Sequence, residues 1–128
     1  MMFNDICAAQ FFIMVNIETF KTIALSFPEA VELPHFDLTS FRVKKKIFAT
    51  LSEEKQRAML KLSLVDQSVF CSFDKAVIYP VAGVWGKKGC TYFELKKIKK
   101  EMLKDALTQA YCVVAPKQLA GKLKIKND

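Results

Sequence analysis

The spacing of apolar residues changes once in the first half of this chain, and that change limits what it can fold into. Ile17, Phe20, Ile23, Ala24 and Phe27 recur at helical intervals, whereas from Val31 the pattern turns to period two. A helix followed by an alternating stretch must bury its apolar stripe against one face of a sheet. Asn16 stands in front of the helical stretch as an N-cap, and Pro28 closes it. Phe36, Leu38, Phe41 and Val43 lead into a first turn, and Ile47–Leu51 returns as a strand. After the polar connection 52–57, Ala58–Leu62 supplies the third strand of a meander.

The remainder follows the same two periods. Val65, Val69, Phe70 and Phe73 sit at helical spacing, and Val77-Ile78-Tyr79 reads as a strand that Pro80 confines to an edge or a bulge. Thr91–Leu95 is the fifth strand. Met102, Leu103, Ala106, Leu107, Ala110 and Tyr111 then define an amphipathic helix, which Pro116 interrupts at Ala115 before a short helical turn. The order α-β-β-β-α-β-β-α predicts an α+β fold, a two-layer sandwich with a five-stranded antiparallel sheet and helices on one face. Residues 16–120 form the domain. Residues 1–15 read as an N-terminal extension, with Met14 a candidate start, and 121–128 as a basic C-terminal tail, frayed from Lys122.

At 128 residues, 52% of them hydrophobic, the chain makes one domain with a core that needs no disulfide staples. Cys7, Cys71, Cys90 and Cys112 are scattered, with no CxxC pair and no neighbouring His. Structural metal sites are delivered as close ligand pairs, so neither a metal nor a disulfide framework is expected, and a reducing cytoplasm fits. No apolar run approaches the roughly 18 residues that span a bilayer, so no membrane partner is expected. No Gly-rich phosphate loop or dinucleotide fingerprint occurs, and no cofactor is expected.

Charge supplies the functional expectation. The net charge is +7, with an acidic first third and a basic remainder, an asymmetry that steers association with polyanions. Two lysine clusters occupy the places where hairpins should turn, Lys44-Lys45-Lys46 after Arg42 and Lys87-Lys88 after Trp85. Ammonium groups displayed at such tips neutralise phosphates without reading sequence. Lys96 and Lys97, with Lys99 and Lys100, extend the basic track. Lysines at hairpin tips and sheet edges also serve simply to block aggregation. Two adjacent lysines suit a two-residue type I′ turn poorly, which favours a longer loop at 44–46. Base readout is weakly equipped, since the only arginines are Arg42 and Arg57. Trp85 is a candidate stacking residue, although the commoner role of such a tryptophan is to cover the edge of a core.

His35 is the sole histidine, with Asp37 two residues on. On a strand the two would share a face, and no Ser or Cys nucleophile is tied to them by sequence, so a non-enzymatic protein is expected. Glu29, Glu32 and Asp37 form only a sparse acidic group. The residues thus favour a binding protein whose partner is nucleic acid, DNA through its phosphate backbone, as a monomer or weak dimer. The alternative is a chaperone-like interaction module with an acidic protein partner and a solubilising basic surface.

The chain resembles the MmcQ/YjbR-like family of small bacterial proteins. The resemblance runs through Ser26–Glu32, Pro34-His35-Phe36, Phe41-Arg42-Val43, Lys46–Ala49, Leu60-Lys61-Leu62, the surroundings of Pro80 and Trp85, Tyr92–Leu95 and Ala110–Lys117. It implies an α-β(3)-α-β(2)-α fold, similar to type III secretion chaperones and to the CyaY (frataxin-like) topology. It also implies DNA binding in a double-wing mode, with the two lysine clusters as the wings. Two departures stand out: the first turn lacks the glycine frequent in relatives, and Cys90 replaces a frequent aromatic, which removes a shared stacking role at that position.

Overall fold

The computed structural model describes residues 15–127. Helix α1 (Ile17–Leu25) begins where expected: the Asn16 side chain accepts from the Thr19 N–H at 2.7 Å, satisfying one of the donors a helix start leaves unpaired. Val15, assigned by sequence to the extension, belongs to the core instead. It is buried, and its N–H donates to the Leu95 carbonyl. The remainder of the expected extension, and Met14, lie outside the described residues.

Six strands follow, one more than the alternating pattern suggests: β1 (Val31–His35), β2 (Leu38–Val43), β3 (Lys46–Ser52), β4 (Arg57–Lys61), β5 (Ile78–Pro80) and β6 (Cys90–Glu94). The additional strand is β1, which pairs with β2 through a two-residue turn at Phe36-Asp37. Its side chains are largely exposed because β1 is an edge, so hydrophobic alternation cannot reveal it. All pairings are antiparallel, in the order β1-β2-β3-β4-β6-β5. Pro80 lies on the other edge strand, where a missing N–H costs no ladder bond.

The turn at 44–45 also differs from the expectation of a longer loop. Val43 pairs with Lys46, so Lys44 and Lys45 alone make the turn, with φ of 50° and 72°. Both central residues are left-handed, as a type I′ hairpin requires, despite the steric cost to lysine. A β-bulge sits just below, where Phe41 faces Ala49 and Arg42 faces Ile47, leaving Phe48 unpaired. The bulge turns Phe48 and Ala49 into the same layer, and both are fully buried.

Helix α4 (Lys100–Val114) lies across β3 and β4 and buries Leu103, Ala106, Leu107, Ala110 and Tyr111. Phe27 stacks on Tyr111 at 5.0 Å, and Phe48 meets both edge-on. The Tyr111 hydroxyl donates to the Pro28 carbonyl at 2.7 Å, which ties the end of α1 to α4. Helix α2 (Leu64–Cys71), capped by Ser63, places Phe70 against Phe93 in the same layer. A four-residue helical turn, α3 (Val84–Lys87), lies between β5 and β6. Ala115 is extended (ψ 149°), as expected of the residue before Pro116. The chain then resumes as α5 (Lys117–Asn127), so the tail expected to fray from Lys122 continues as helix, in keeping with its run of helix-forming Lys and Leu. No helix among the described residues is long and apolar enough to cross a membrane.

Candidate nucleic-acid interface

Strand direction fixes where each cluster ends up. β2 and β4 run toward the end of the sheet where Val43 meets Lys46 and Lys61 meets Cys90. The Lys44-Lys45 turn and the connection 81–89 therefore lie at the same end. The midpoint of the β2–β3 hairpin and that of the β6–β5 pair are three strand spacings apart, roughly 14 Å.

The two tips are unlike each other. The second is not a hairpin tip but the helical turn α3, and two close contacts force its path. A Cβ on Gly86 would come 1.8 Å from the Val81 carbonyl oxygen, and Gly89 (φ 106°) passes equally close to Leu62. Gln67 of α2 locks this connection from outside the loop. Its amide nitrogen donates to the Gly86 carbonyl (2.9 Å), the Thr91 hydroxyl (3.1 Å) and the Cys90 carbonyl (3.3 Å). Sequence gave no indication of this role for Gln67, since it depends on α2 packing beside β6.

The expected basic residues distribute unequally. Lys45, Lys87 and Lys88 are exposed at the shared end, and Lys61 reaches the same region, its ammonium donating to the Lys88 carbonyl at 3.3 Å. Lys44 is there too, held at 2.7 Å by Glu29. Lys46 stands opposite the buried Val43 at the same end of the sheet and so belongs to its helix side. Arg42 is half-buried, its Nε donating to the Ser40 hydroxyl at 2.9 Å. Lys96 and Lys97 follow β6 at the opposite end of the sheet. With Lys99 and Lys100 they cannot extend the track, because the sheet length separates them from the other lysines.

The face of the sheet opposite α4 holds a concavity of about 660 Å³. Its floor is the cross-strand row Thr50, Met59 and Tyr92, and its walls include Leu38, Ile47, Lys61, Cys90 and Trp85. Arg57 lies on the Tyr92 ring, 3.8 Å from its centre, and donates to the Tyr79 hydroxyl at 3.4 Å. That hydroxyl donates in turn to Glu94. The bond to Glu94 and burial raise the Tyr79 pKa, against an opposing pull from Arg57. Trp85, expected by its commoner role to cover the core, is instead 61% exposed, with the Lys88 ammonium 5.4 Å from its ring. The close approach of Gly86 to Val81 takes the buried position and leaves Trp85 outside.

His35 and Asp37 line the far end of the concavity, near Glu54 and Lys55. They are not strand neighbours on one face, because Phe36 (φ 62°) and Asp37 form the β1–β2 turn. The His35 ring makes edge contact with Phe36, which is 93% exposed. Cys90 is buried at the lysine end on β6, so four strand spacings across the sheet, roughly 19 Å, as well as the length of β4 separate it from His35 on β1. Burial holds the Cys90 thiol above its ordinary pKa, against Lys61 and Lys88. Of the acidic group, Glu29 is bound to Lys44 and Glu32 to Lys21. Among the described residues, no cluster of His, Cys, Asp and Glu is large enough to hold a metal ion.

A search of curated proteins finds no match. Among solved structures, the chain is similar to Deinococcus radiodurans protein DR2400, a DUF419 domain protein. The two share 18% identity with a TM-score of 0.72, over 87% of this chain and 89% of that one. That likeness shows a shared fold. The YjbR family model matches residues 25–113, from the end of α1 through nearly all of α4, and the chain belongs to the YjbR family.

Proposed function

We propose that this protein binds DNA through the phosphate backbone, without sequence readout and without catalysis, using the lysine-bearing end of its sheet. The observation that carries this reading is the convergence of the 44–45 turn and the 81–89 connection on one end, with Lys61 between them. Lys45, Lys61, Lys87 and Lys88 have no carboxylate ion partner among the described residues, whereas Lys44 is neutralised by Glu29. Phosphate neutralisation by such a row releases counterions and makes affinity fall steeply with salt. Binding rather than reaction is favoured because His35 and the Cys90 thiol stand at opposite ends of the concavity.

A salt titration on mixed-sequence DNA tests the proposal. Lys45→Glu combined with Lys87→Glu and Lys88→Glu is expected to weaken binding at low salt and to lower the slope of log K against log salt. An unchanged affinity and slope would sink it.

One observation favours a second reading as a protein-interaction module. Val65, Val69 and Phe73 are 73%, 51% and 61% exposed and recur every fourth residue along α2 and just beyond it. An exposed apolar stripe of that kind fits a partner helix. Purification with an acidic protein and no nucleic acid absorbance, abolished by Val69→Lys, would favour this alternative.

A further inference from the structure

We infer that the concave sheet face takes a single-stranded segment of nucleic acid, its bases against Trp85 and the Arg57–Tyr92 stack and its phosphates toward Lys61, Lys87 and Lys88. This rests on the DNA-binding reading and narrows its ligand. Lysines at a sheet end suffice for a duplex, whose phosphates lie outermost, but they leave the composition of the adjoining face unexplained. In a duplex the base faces are stacked inside and cannot reach a ring on a protein surface. In a single strand they are available, and aromatic side chains and guanidinium planes are the surfaces on which they stack.

The face carries both kinds of surface. Trp85 presents most of its ring to solvent at the mouth of the concavity, beside the Lys88 ammonium. Arg57 sits over Tyr92 with its guanidinium carbon 3.8 Å from the ring centre, and both side chains line the concavity. The volume of about 660 Å³ is that of a site for a small ligand, matching a nucleotide or two rather than a double helix.

These surfaces are also held in place before any ligand arrives. Trp85 is carried on a connection fixed by the three Gln67 bonds and by the Gly86 approach to Val81. Arg57 is fixed by Tyr79, itself anchored on Glu94. Preorganised aromatic groups bind with less loss of side-chain entropy. Charge then orients the strand. The cations Lys61, Lys87 and Lys88 gather at the mouth with no carboxylate beside them, whereas at the far end Lys55 and Arg57 are offset by Asp37, Glu54 and Glu94, so phosphates are favoured at the first and bases toward the floor.

Trp85 is the sole tryptophan, so its fluorescence reports contact directly. The full chain is titrated at low salt with a 12-mer of oligothymidine, with a hairpin duplex of mixed sequence and with a polyglutamate peptide, and affinity is followed in parallel by anisotropy of labelled ligand. The single strand is expected to quench Trp85 to saturation and to bind at least about 10-fold more tightly than the duplex. Trp85→Ala should weaken single-strand binding about 5- to 150-fold, the range of one lost base stack, with duplex binding nearly unchanged. Arg57→Lys, which keeps the charge and removes the planar stack, should weaken the single strand and leave the salt slope as it was. Duplex binding with a steep salt slope and no quenching would overturn this inference while leaving the DNA reading intact. No binding of either DNA form would overturn both. Quenching by polyglutamate that equals quenching by the single strand would overturn the inference in favour of an acidic polypeptide.

Discussion

Replacing Lys44-Lys45 with Asn-Gly is expected to stabilise the fold and weaken DNA binding together. Both lysines hold left-handed φ values, 50° and 72°, and that conformation costs a residue with a Cβ about 1 kcal/mol. Asn and Gly relieve most of this, about 2 kcal/mol in all. Two losses offset the gain. The Lys44–Glu29 pair is more than half exposed on both sides and contributes about 0.5 kcal/mol at most. The added glycine makes the unfolded chain more flexible, which costs roughly 0.5–1 kcal/mol. The net is a stabilisation of roughly 0.5–1 kcal/mol, or about 2–4 °C in Tm. Thermal and urea denaturation followed by circular dichroism measure it. A midpoint that stays or falls would refute the argument that the turn is a strained two-residue hairpin. In the binding assay the salt slope should drop by about 0.9, one phosphate, because Lys45 is available and Lys44 is held by Glu29.

Tyr111→Phe should cost about 1–2 kcal/mol, since it leaves the Pro28 carbonyl without its hydroxyl donor while the ring stack on Phe27 persists. A loss near zero by urea denaturation would contradict this. Alkaline pH should destabilise the protein. The Tyr79 hydroxyl is raised by its bond to Glu94, then by burial, and Tyr111 by burial, then by Glu29. A pKa raised in the folded state contributes stability that is intact below the unfolded value, about 10, and is lost as pH climbs through the folded one. Urea midpoints that stay flat or rise above pH 10 would show the sign to be wrong, and Tyr79→Phe should remove part of the decline. Gly86→Ala puts a Cβ against the backbone of Val81, which cannot yield as a side chain would. It should cost about 1–3 kcal/mol and shift Trp85 emission, and wild-type stability with unchanged emission would refute it.

The extent to which the sequence was legible follows from which forces are local. The α1 cap at Asn16, the end of α4 at Ala115 before Pro116, and the strands β2, β3, β4 and β6 with their β-branched and aromatic residues depend on residues within a few positions of each other. Strand β1 escaped because an exposed edge carries no alternation. The tight turn at 44–45 escaped because local steric preference argues against lysine there, and only the pairing of Val43 with Lys46 overrides it.

For the candidate site, the sequence alone determined that the surface is basic, that lysines cluster twice, and that a tryptophan accompanies the second cluster. Whether those features act together is a matter of strand direction, and that is decided only when β4 pairs with β6. The pairing brings the two clusters to one end of the sheet and sends Lys96 and Lys97 to the other. Tertiary packing also decided that Trp85 is outside, because Gly86 alone fits against Val81. The same packing laid Arg57 on Tyr92, two residues that are 35 positions apart in the chain and diagonal neighbours across β4 and β6. Side-chain types and their local periods are written in the sequence, but which of them share a surface is set by long-range pairing, whose free energy comes from burying the opposite face of the sheet.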